Sequence, residues 1–182
     1  MYNYRGRTLK NFRRIAAAWR AESDLERVVA AYSGRVANKW KHYYPIYGRH
    51  FGHLRGRPCK IFEIGVADGG SLALWRKYFG AAAQITGLDI NPETKRCEEN
   101  GTAIYIGDQG DGDLLKQIAA ERGPFDLVIE DGSHLFHHQI LAFETLFAHL
   151  NDGGIYACED LHTSYLADGE YDGGVGKPGT FA

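Results

Sequence analysis

The chain has 182 residues, of which 44% are hydrophobic and 24% are charged, and its formal net charge is −2 at pH 7. This is the composition of one globular domain, and it excludes a disordered, collagen-like or coiled-coil architecture. No apolar run approaches the roughly 18–20 residues of a membrane helix, and the N-terminus lacks the apolar core of a signal peptide. The three cysteines, Cys59, Cys97 and Cys158, have no metal-ligand spacing, so we expect a reducing, cytoplasmic location.

The charges are divided unevenly along the chain. Residues 1–60 contain 14 Lys and Arg against 3 Asp and Glu, whereas residues 61–182 contain 7 against 20. One interpretation is a basic arm that binds nucleic acid. The other, which we favour, is a basic segment that lies on its own acidic domain or on that of a partner subunit. The basic residues favour it because they are spread along helical segments rather than clustered in one run.

Two helices and an aromatic stretch are predicted before the main domain. Apolar residues at helical spacing predict a helix near residues 8–21. Ser23 and Glu26 have the spacing of a capping box, which predicts a second helix that Gly34 can end. Residues 39–47 are aromatic and basic, and Pro45 is expected to interrupt any long helix there. We assign residues 1–57 to a helical N-terminal extension.

Short apolar runs alternate with helical patterns from residue 58 onwards. Gly80 and Gly123 stand where helices should end. The alternation predicts a Rossmann-like α/β domain over residues 58–182, with a mostly parallel sheet, right-handed crossovers and helices on both faces. The predicted strands are 61–66, 85–90, 103–106, 127–129 and 155–158, and the predicted helices lie near 71–79, 92–99, 111–122 and 135–149.

A glycine-rich loop follows the first predicted strand. Glu63 and Gly65 stand at the beginning of this loop. Glycines allow a tight turn and close approach of a ligand to the backbone. The next helix starts near Ser71 and offers free N–H groups. Asp89 ends the second strand, 24 residues after Gly65, and an acidic residue at this place can accept hydrogen bonds from both ribose hydroxyls.

The third predicted strand ends in Asp108 and Gln109. The Asp108 carboxylate can accept from an adenine amino group, and the Gln109 amide can donate to the ring. Each residue alone is equally typical of a turn or a helix cap. Polar groups at three successive strand ends nevertheless indicate a nucleoside-binding site.

Three carboxylates follow the last two predicted strands, Asp131 after the fourth and Glu159 and Asp160 after the fifth. These strands should be neighbours, and such a cluster is costly unless something positive lies there. An oxygen-only site suits Mg²⁺ or Mn²⁺, so we predict a metal site. The alternative is that Asp131 caps the next helix while Glu159 and Asp160 face solvent.

A histidine follows this cluster in the predicted first turn of the next helix. His134 is placed to take the proton from an acceptor hydroxyl as a general base. The alternative is a helix-start histidine that bonds to a nearby carboxylate. His137 and His138 are interpreted as surface or packing residues.

The motifs together resemble a known family. Residues 69–72 read Gly-Gly-Ser-Leu, residues 131–134 read Asp-Gly-Ser-His, and residues 159–165 read Glu-Asp-Leu-His-Thr-Ser-Tyr. Over about residues 38–182 the chain resembles class I S-adenosylmethionine-dependent methyltransferases, in particular the metal-dependent sugar O-methyltransferases of the macrocin and mycinamicin type. Ala67 stands where the general class I pattern has a glycine, which suits this subfamily better.

The resemblance implies S-adenosylmethionine as cofactor, a divalent metal on the matching acidic residues and His134 as the base. It implies that the segment with Lys39, His42, Tyr44 and Tyr47 helps close the pocket. An aromatic brace that packs the N-terminal helices on the sheet explains these four residues equally well. Residues 162–165 are candidates for binding the hydroxyls of the acceptor, or simply loop structure.

We therefore expect an O-methyltransferase that acts on a hydroxyl of a sugar or glycosylated natural product, as in antibiotic biosynthesis. We expect a homo-oligomer with no nucleic-acid or membrane partner. Two alternatives are a non-catalytic cofactor-binding or assembly subunit and a nicotinamide-dependent oxidoreductase. Five strands are predicted where the class I sheet has seven, so C-terminal strands are expected to be missing or to be supplied by a partner.

Overall fold

Five parallel strands form one sheet in the order β3-β2-β1-β4-β5. The structure is a computed structural model that describes residues 21, 23–99, 101–167, 169–171 and 173–180. The predicted strands are all confirmed, with β4 and β5 longer than expected. Their bounds are β1 Lys60–Ile64, β2 Gln84–Asp89, β3 Thr102–Ile106, β4 Phe125–Glu130 and β5 Leu150–Cys158.

Helices connect the strands and precede the sheet. Gly80 and Gly123 follow the ends of two of them, as predicted. The segment predicted as a helix over 92–99 is a 3₁₀ helix, Pro92–Cys97. The α-helices are α1 Asp24–Ala31, α2 Tyr43–Phe51, α3 Gly70–Phe79, α4 Gly112–Arg122 and α5 Phe136–Leu146.

Both faces of the sheet are covered, as the fold class predicts. Alternate side chains of a strand point to opposite faces, so Ile61 joins one apolar cluster and Phe62 joins the other. The first cluster packs the sheet against α1, α2 and α3, with Trp75 fully buried at its centre. The second cluster packs the other face against α4 and α5. The carboxyl ends of the parallel strands are thereby held in fixed positions.

The N-terminal elements agree with the sequence in part. Ser23 and Glu26 form the predicted capping box at the start of α1, but the helix ends at Ala31, before Gly34. Pro45 lies in the first turn of α2 instead of interrupting a helix, because a proline there removes an N–H that has no partner within the helix. The helix predicted over 8–21 falls almost wholly outside the described residues.

Basic side chains of the N-terminal segment pair with acidic groups of the same chain. Arg35 lies 3.0 Å from Glu99, and Arg55 lies 2.8 Å from Asp24. The Arg35–Glu99 pair supports the interpretation of a basic segment lying on its own domain, whereas Arg55 and Asp24 both belong to the segment. Within the described ranges, no helix has the length and apolar content to cross a bilayer.

Candidate active site

A cavity of about 940 Å³ opens at the carboxyl ends of the strands, where ligands bind in open parallel sheets. Five of the residues predicted to bind the cofactor line this cavity. The sequence-based site is thus gathered in one place, although the cofactor role of each residue stays a prediction. The five residues are Gly65, Ser71, Asp89, Asp108 and Gln109.

The glycine loop is folded onto the second strand. Gly65 has φ 91°, and a Cβ at this position would overlap the backbone carbonyl of Asp131. The Asp89 carboxylate accepts hydrogen bonds from the N–H groups of Val66 and Ala67, each at 2.8 Å. Asp89 therefore shapes the loop as well as facing the cavity.

Gln109 makes its contacts within the protein. Its Oε1 accepts from the Ser133 N–H at 2.7 Å, and its Nε2 donates to Glu130 at 2.9 Å. Gln109 thereby ties the loop after β3 to the loop after β4, and it contributes a wall of the cavity. The donation of its amide to an adenine ring stays a prediction.

Lys39 is the positive group that the carboxylate cluster requires. Its Nζ lies 2.6 Å from Asp131 Oδ2, 2.6 Å from Glu159 Oε1 and 3.2 Å from Glu63 Oε1. Burial alone would lower the pKa of Lys39, but the surrounding carboxylates outweigh it and raise the pKa above its usual range. Lys39 therefore stays protonated and neutralises part of the cluster.

Glu63 is the predicted cofactor residue that does not reach the cavity. It is fully buried, and its Oε2 accepts from the indole N–H of Trp75 at 2.8 Å. In this structure Glu63 stabilises the site from within the core, because it contacts both Lys39 and the Trp75 side chain of α3.

Glu159 is also held inside the protein rather than facing solvent. It is 3% exposed, and burial raises its pKa to about 7 against the opposing effect of Lys39. Because Lys39 occupies its Oε1, Glu159 stands apart from the other two predicted metal ligands. Its role as a third ligand stays a prediction.

Asp131, His134 and Asp160 converge on one point. One ligand atom from each lies within 4.8 Å of the others. His134 Nε2 is 3.8 Å from Asp131 Oδ1 and 3.7 Å from Asp160 Oδ2. Leu135 is the N-cap residue of α5, so Asp131 is not a helix cap. Two carboxylate oxygens and an imidazole can together hold a divalent cation.

His134 differs in backbone position from the prediction. It lies before α5 with φ 57° rather than in the first helical turn. The left-handed conformation turns the ring back towards the strand ends. Its Nδ1 is buried and has no hydrogen-bond partner among the described residues.

His138 forms part of the cavity wall, and its interpretation as a surface or packing residue stays a prediction. Its Nδ1 lies 3.0 Å from Ser133 Oγ and 4.0 Å from Asp108 Oδ1. Burial, followed by the charge of His137, lowers the pKa of His138. Helical spacing could not signal this place, because His134 lies before α5, which starts at Phe136.

A second cavity of about 460 Å³ adjoins the first. Asn38, Lys39, His134 and Asp160 line both cavities. Of the residues proposed to bind an acceptor, His162 and Thr163 line the second cavity. Its other lining residues are Trp40, Lys41, Glu159 and Tyr171.

Residues 39–47 were interpreted either as closing the pocket or as an aromatic brace, and each interpretation fits different residues of this segment. Tyr44 and Tyr47 are buried in the core, as an aromatic brace would be. Lys39 lines the cavities, as the resemblance implies. Tyr43, which the sequence did not single out, donates a hydrogen bond to Asp160 Oδ1 at 2.8 Å.

The sequence model of a protein family described as a methyltransferase domain matches residues 62–161. The matched range contains every residue predicted to bind the cofactor or the metal and the predicted base His134. Curated relatives are more than a third identical to this chain over the aligned residues, and two of them serve as examples. One is the 8-demethyl-8-(2-methoxy-alpha-L-rhamnosyl)-tetracenomycin-C 3'-O-methyltransferase of Streptomyces olivaceus, 38% identical over 83% of this chain and 40% of the relative. The other is the mycinamicin VI 2''-O-methyltransferase of Micromonospora griseorubida, 41% identical over 66% of this chain and 32% of the relative.

A solved structure has the same fold. It is the MycE methyltransferase from the mycinamycin biosynthetic pathway in complex with Mg, S-adenosylhomocysteine and mycinamycin VI, with a TM-score of 0.74 and 35% identity. The match covers 85% of this chain and 41% of that chain. The present chain thus spans about two fifths of the length of the Streptomyces olivaceus relative and of this solved structure.

Proposed function

The chain belongs to the family of methyltransferase domains, and on this basis we propose that it methylates a hydroxyl of a small sugar-bearing acceptor, with S-adenosylmethionine and a divalent cation. One observation carries the proposal. The two cavities meet at His134 and Asp160, so a cofactor and an acceptor bound in them would face each other across these side chains. The relatives that methylate rhamnosyl and mycinamicin hydroxyls support the class of acceptor.

The first cavity suits S-adenosylmethionine in size and chemistry. Asp89 and Asp108 place carboxylates at the ends of β2 and β3, where ribose hydroxyls and an adenine amino group can donate to them. Ile64, Leu88 and Leu135 supply apolar walls. The remaining predicted contacts, including the helix start at Ser71, are part of the same proposal.

The centre formed by Asp131, His134 and Asp160 suits a hard divalent cation. Each carboxylate has one oxygen towards His134, and Mg²⁺ is commonly held by one or two carboxylates with water in the other positions. Asp131 and Asp160 would hold the cation, with Glu159 as a further predicted ligand.

S-adenosylmethionine supplies the reactive methyl group, and the cation supplies positive charge beside the acceptor oxygen. The residues of the chain orient the reactants and move the proton. His134 Nε2 lies between the two cavities and accepts the proton of the acceptor hydroxyl. Thr163 donates to the His134 carbonyl at 2.8 Å and so fixes the loop that carries the base.

Methyl transfer to a panel of glycosylated acceptors tests the proposal. We expect His134→Ala to lower kcat by roughly 10²–10⁴-fold, as for loss of a positioned base, while leaving S-adenosylhomocysteine affinity nearly unchanged. Asp160→Ala should abolish the metal dependence, and a chelator should affect the parent chain but not this variant. A chain that binds S-adenosylhomocysteine but methylates nothing would instead favour the non-catalytic assembly subunit.

The proposal extends to partners and location. The ion pairs of Arg35 and Arg55 with acidic groups of the same chain support a role without nucleic acid.

Exposed Phe143 and Phe147 support a homo-oligomer, and light scattering can measure the oligomeric state. Three free cysteines support the cytoplasm. Tight binding of duplex DNA or RNA at physiological salt, lost on deletion of residues 1–35, would contradict the role without nucleic acid.

A further inference from the structure

In the proposed metal centre, the two oxygens of each aspartate carboxylate make different contacts. Asp131 gives Oδ2 to Lys39 at 2.6 Å and keeps Oδ1 towards His134. Asp160 gives Oδ1 to the hydroxyl of Tyr43 at 2.8 Å and keeps Oδ2 towards His134. In each aspartate, one carboxylate oxygen is thus held by a residue of the segment before β1, and the other oxygen faces the proposed metal centre.

Tyr43 holds the backbone of Asp160 as well as its side chain. The Asp160 N–H donates to the Tyr43 hydroxyl oxygen at 3.2 Å. Asp160 has φ 54° and ψ 34°, a left-handed conformation that non-glycine residues adopt only when their surroundings impose it. The reciprocal pair of hydrogen bonds therefore fixes both the peptide and the carboxylate at this unusual position.

Tyr43 is itself held firmly by the core. Its ring lies 5.7 Å from that of Tyr47, one turn further along α2. Tyr47 stacks on Phe51 at 4.6 Å and meets Trp75 of α3 edge-on at 5.9 Å. Because Trp75 is fully buried, the Tyr43 hydroxyl is carried on a rigid support.

We propose that Tyr43 is a positioning residue that aims the Asp160 carboxylate at the metal centre. This inference rests on the proposed metal site. Tyr43 lines neither cavity, so it acts through Asp160 and does not touch cofactor or acceptor. Residues that orient metal ligands in this way typically contribute 10–100-fold to metal affinity.

Titration of the full chain with Mn²⁺, followed by calorimetry, tests the inference. Tyr43→Phe removes one oxygen and keeps the ring, and it should weaken Mn²⁺ binding by roughly 10–100-fold. The affinity for S-adenosylhomocysteine should stay at the parent value, which general damage to the fold would lower. The matched control is Tyr105→Phe, which loses an exposed hydrogen bond to Glu121 and should leave Mn²⁺ affinity unchanged.

A second comparison isolates the path through Asp160. Adding Tyr43→Phe to Asp160→Ala should cause no further loss of Mn²⁺ affinity. Equal Mn²⁺ affinity in Tyr43→Phe and the parent chain would overturn the positioning role and leave the metal site standing. Failure of the parent chain to bind Mn²⁺ would overturn the metal site and, with it, this inference.

Discussion

Lys39 places an ammonium group beside the Glu63 carboxylate of β1 and the carboxylates of Asp131 and Glu159, which follow β4 and β5. Its side chain is 1% exposed, and those of Glu63 and Glu159 are 0% and 3% exposed. Removing one member of a buried ionic cluster leaves the remaining charges without compensation. Lys39 is therefore central to the stability of the site.

We predict that Lys39→Met lowers the free energy of unfolding by about 3–5 kcal/mol. Urea denaturation measures the change. The control is Lys116→Met, which breaks only an exposed pair with Asp113 and should change the free energy by less than about 0.5 kcal/mol. Equal stability of Lys39→Met and the parent chain would show that the cluster does not depend on Lys39.

His138 gives the stability of the chain a dependence on pH. Burial lowers its pKa in the folded state, so the unfolded chain binds more protons as the pH falls through about 6.5. The contribution of neutral His138 is present above that pH and is lost below it. We expect His138→Gln to reduce the loss of stability between pH 8 and pH 5.5, measured by urea denaturation.

The matched control for this pH series is His50→Gln, a substitution at an exposed position of α2. Its stability should follow the parent chain across the same pH range. A His138→Gln variant with the same pH dependence as the parent would exclude His138 as a source of the effect.

At the scale of elements, the turn from β1 into α3 depends on close approach of two loops. Gly65 has φ 91° and lies against the Asp131 carbonyl. Gly65→Ala should cost about 1–2 kcal/mol for the left-handed backbone and about 1–3 kcal/mol more for overpacking. Gly56→Ala, with φ 71° but nothing within 4 Å of a Cβ, should show only the first cost. Equal losses in the two variants, measured by thermal unfolding, would argue against the loop contact.

The elements could be predicted from the sequence where their causes are local. The capping box at Ser23 and the stops at Gly80 and Gly123 depend on neighbouring residues, and they were confirmed. Pro45 was misjudged because its effect depends on where the helix begins. The apolar pattern could not predict that Pro92–Cys97 forms a 3₁₀ helix rather than an α-helix. Over one or two turns, the two kinds of helix place their side chains at similar spacings along the sequence.

The candidate site was predictable only in its strand-end residues. Asp89, Asp108 and Asp131 could be located because parallel strands end at the same edge. The partner of Asp131 is Lys39, 92 positions away, and no periodicity links two such residues. The carboxylate cluster predicted a positive charge nearby. It did not predict that a lysine supplies part of that charge.

At the scale of the whole molecule, the fold brings an N-terminal basic segment onto the acidic edge of a five-stranded sheet. Lys39 and Tyr43 join this segment to the loops after β4 and β5. The segment and the sheet together form the walls of both cavities. Residues 38–43 are therefore part of the site.

The central claim is that the larger cavity binds S-adenosylmethionine rather than a dinucleotide. Calorimetric titration with S-adenosylhomocysteine and, separately, with NAD⁺ tests it most directly. We predict that S-adenosylhomocysteine binds, that it stabilises the fold by about 2.7 kcal/mol at 100-fold over Kd, and that Asp89→Ala binds it more weakly while remaining folded. NAD⁺ should not bind. Binding of NAD⁺ without binding of S-adenosylhomocysteine would contradict the account.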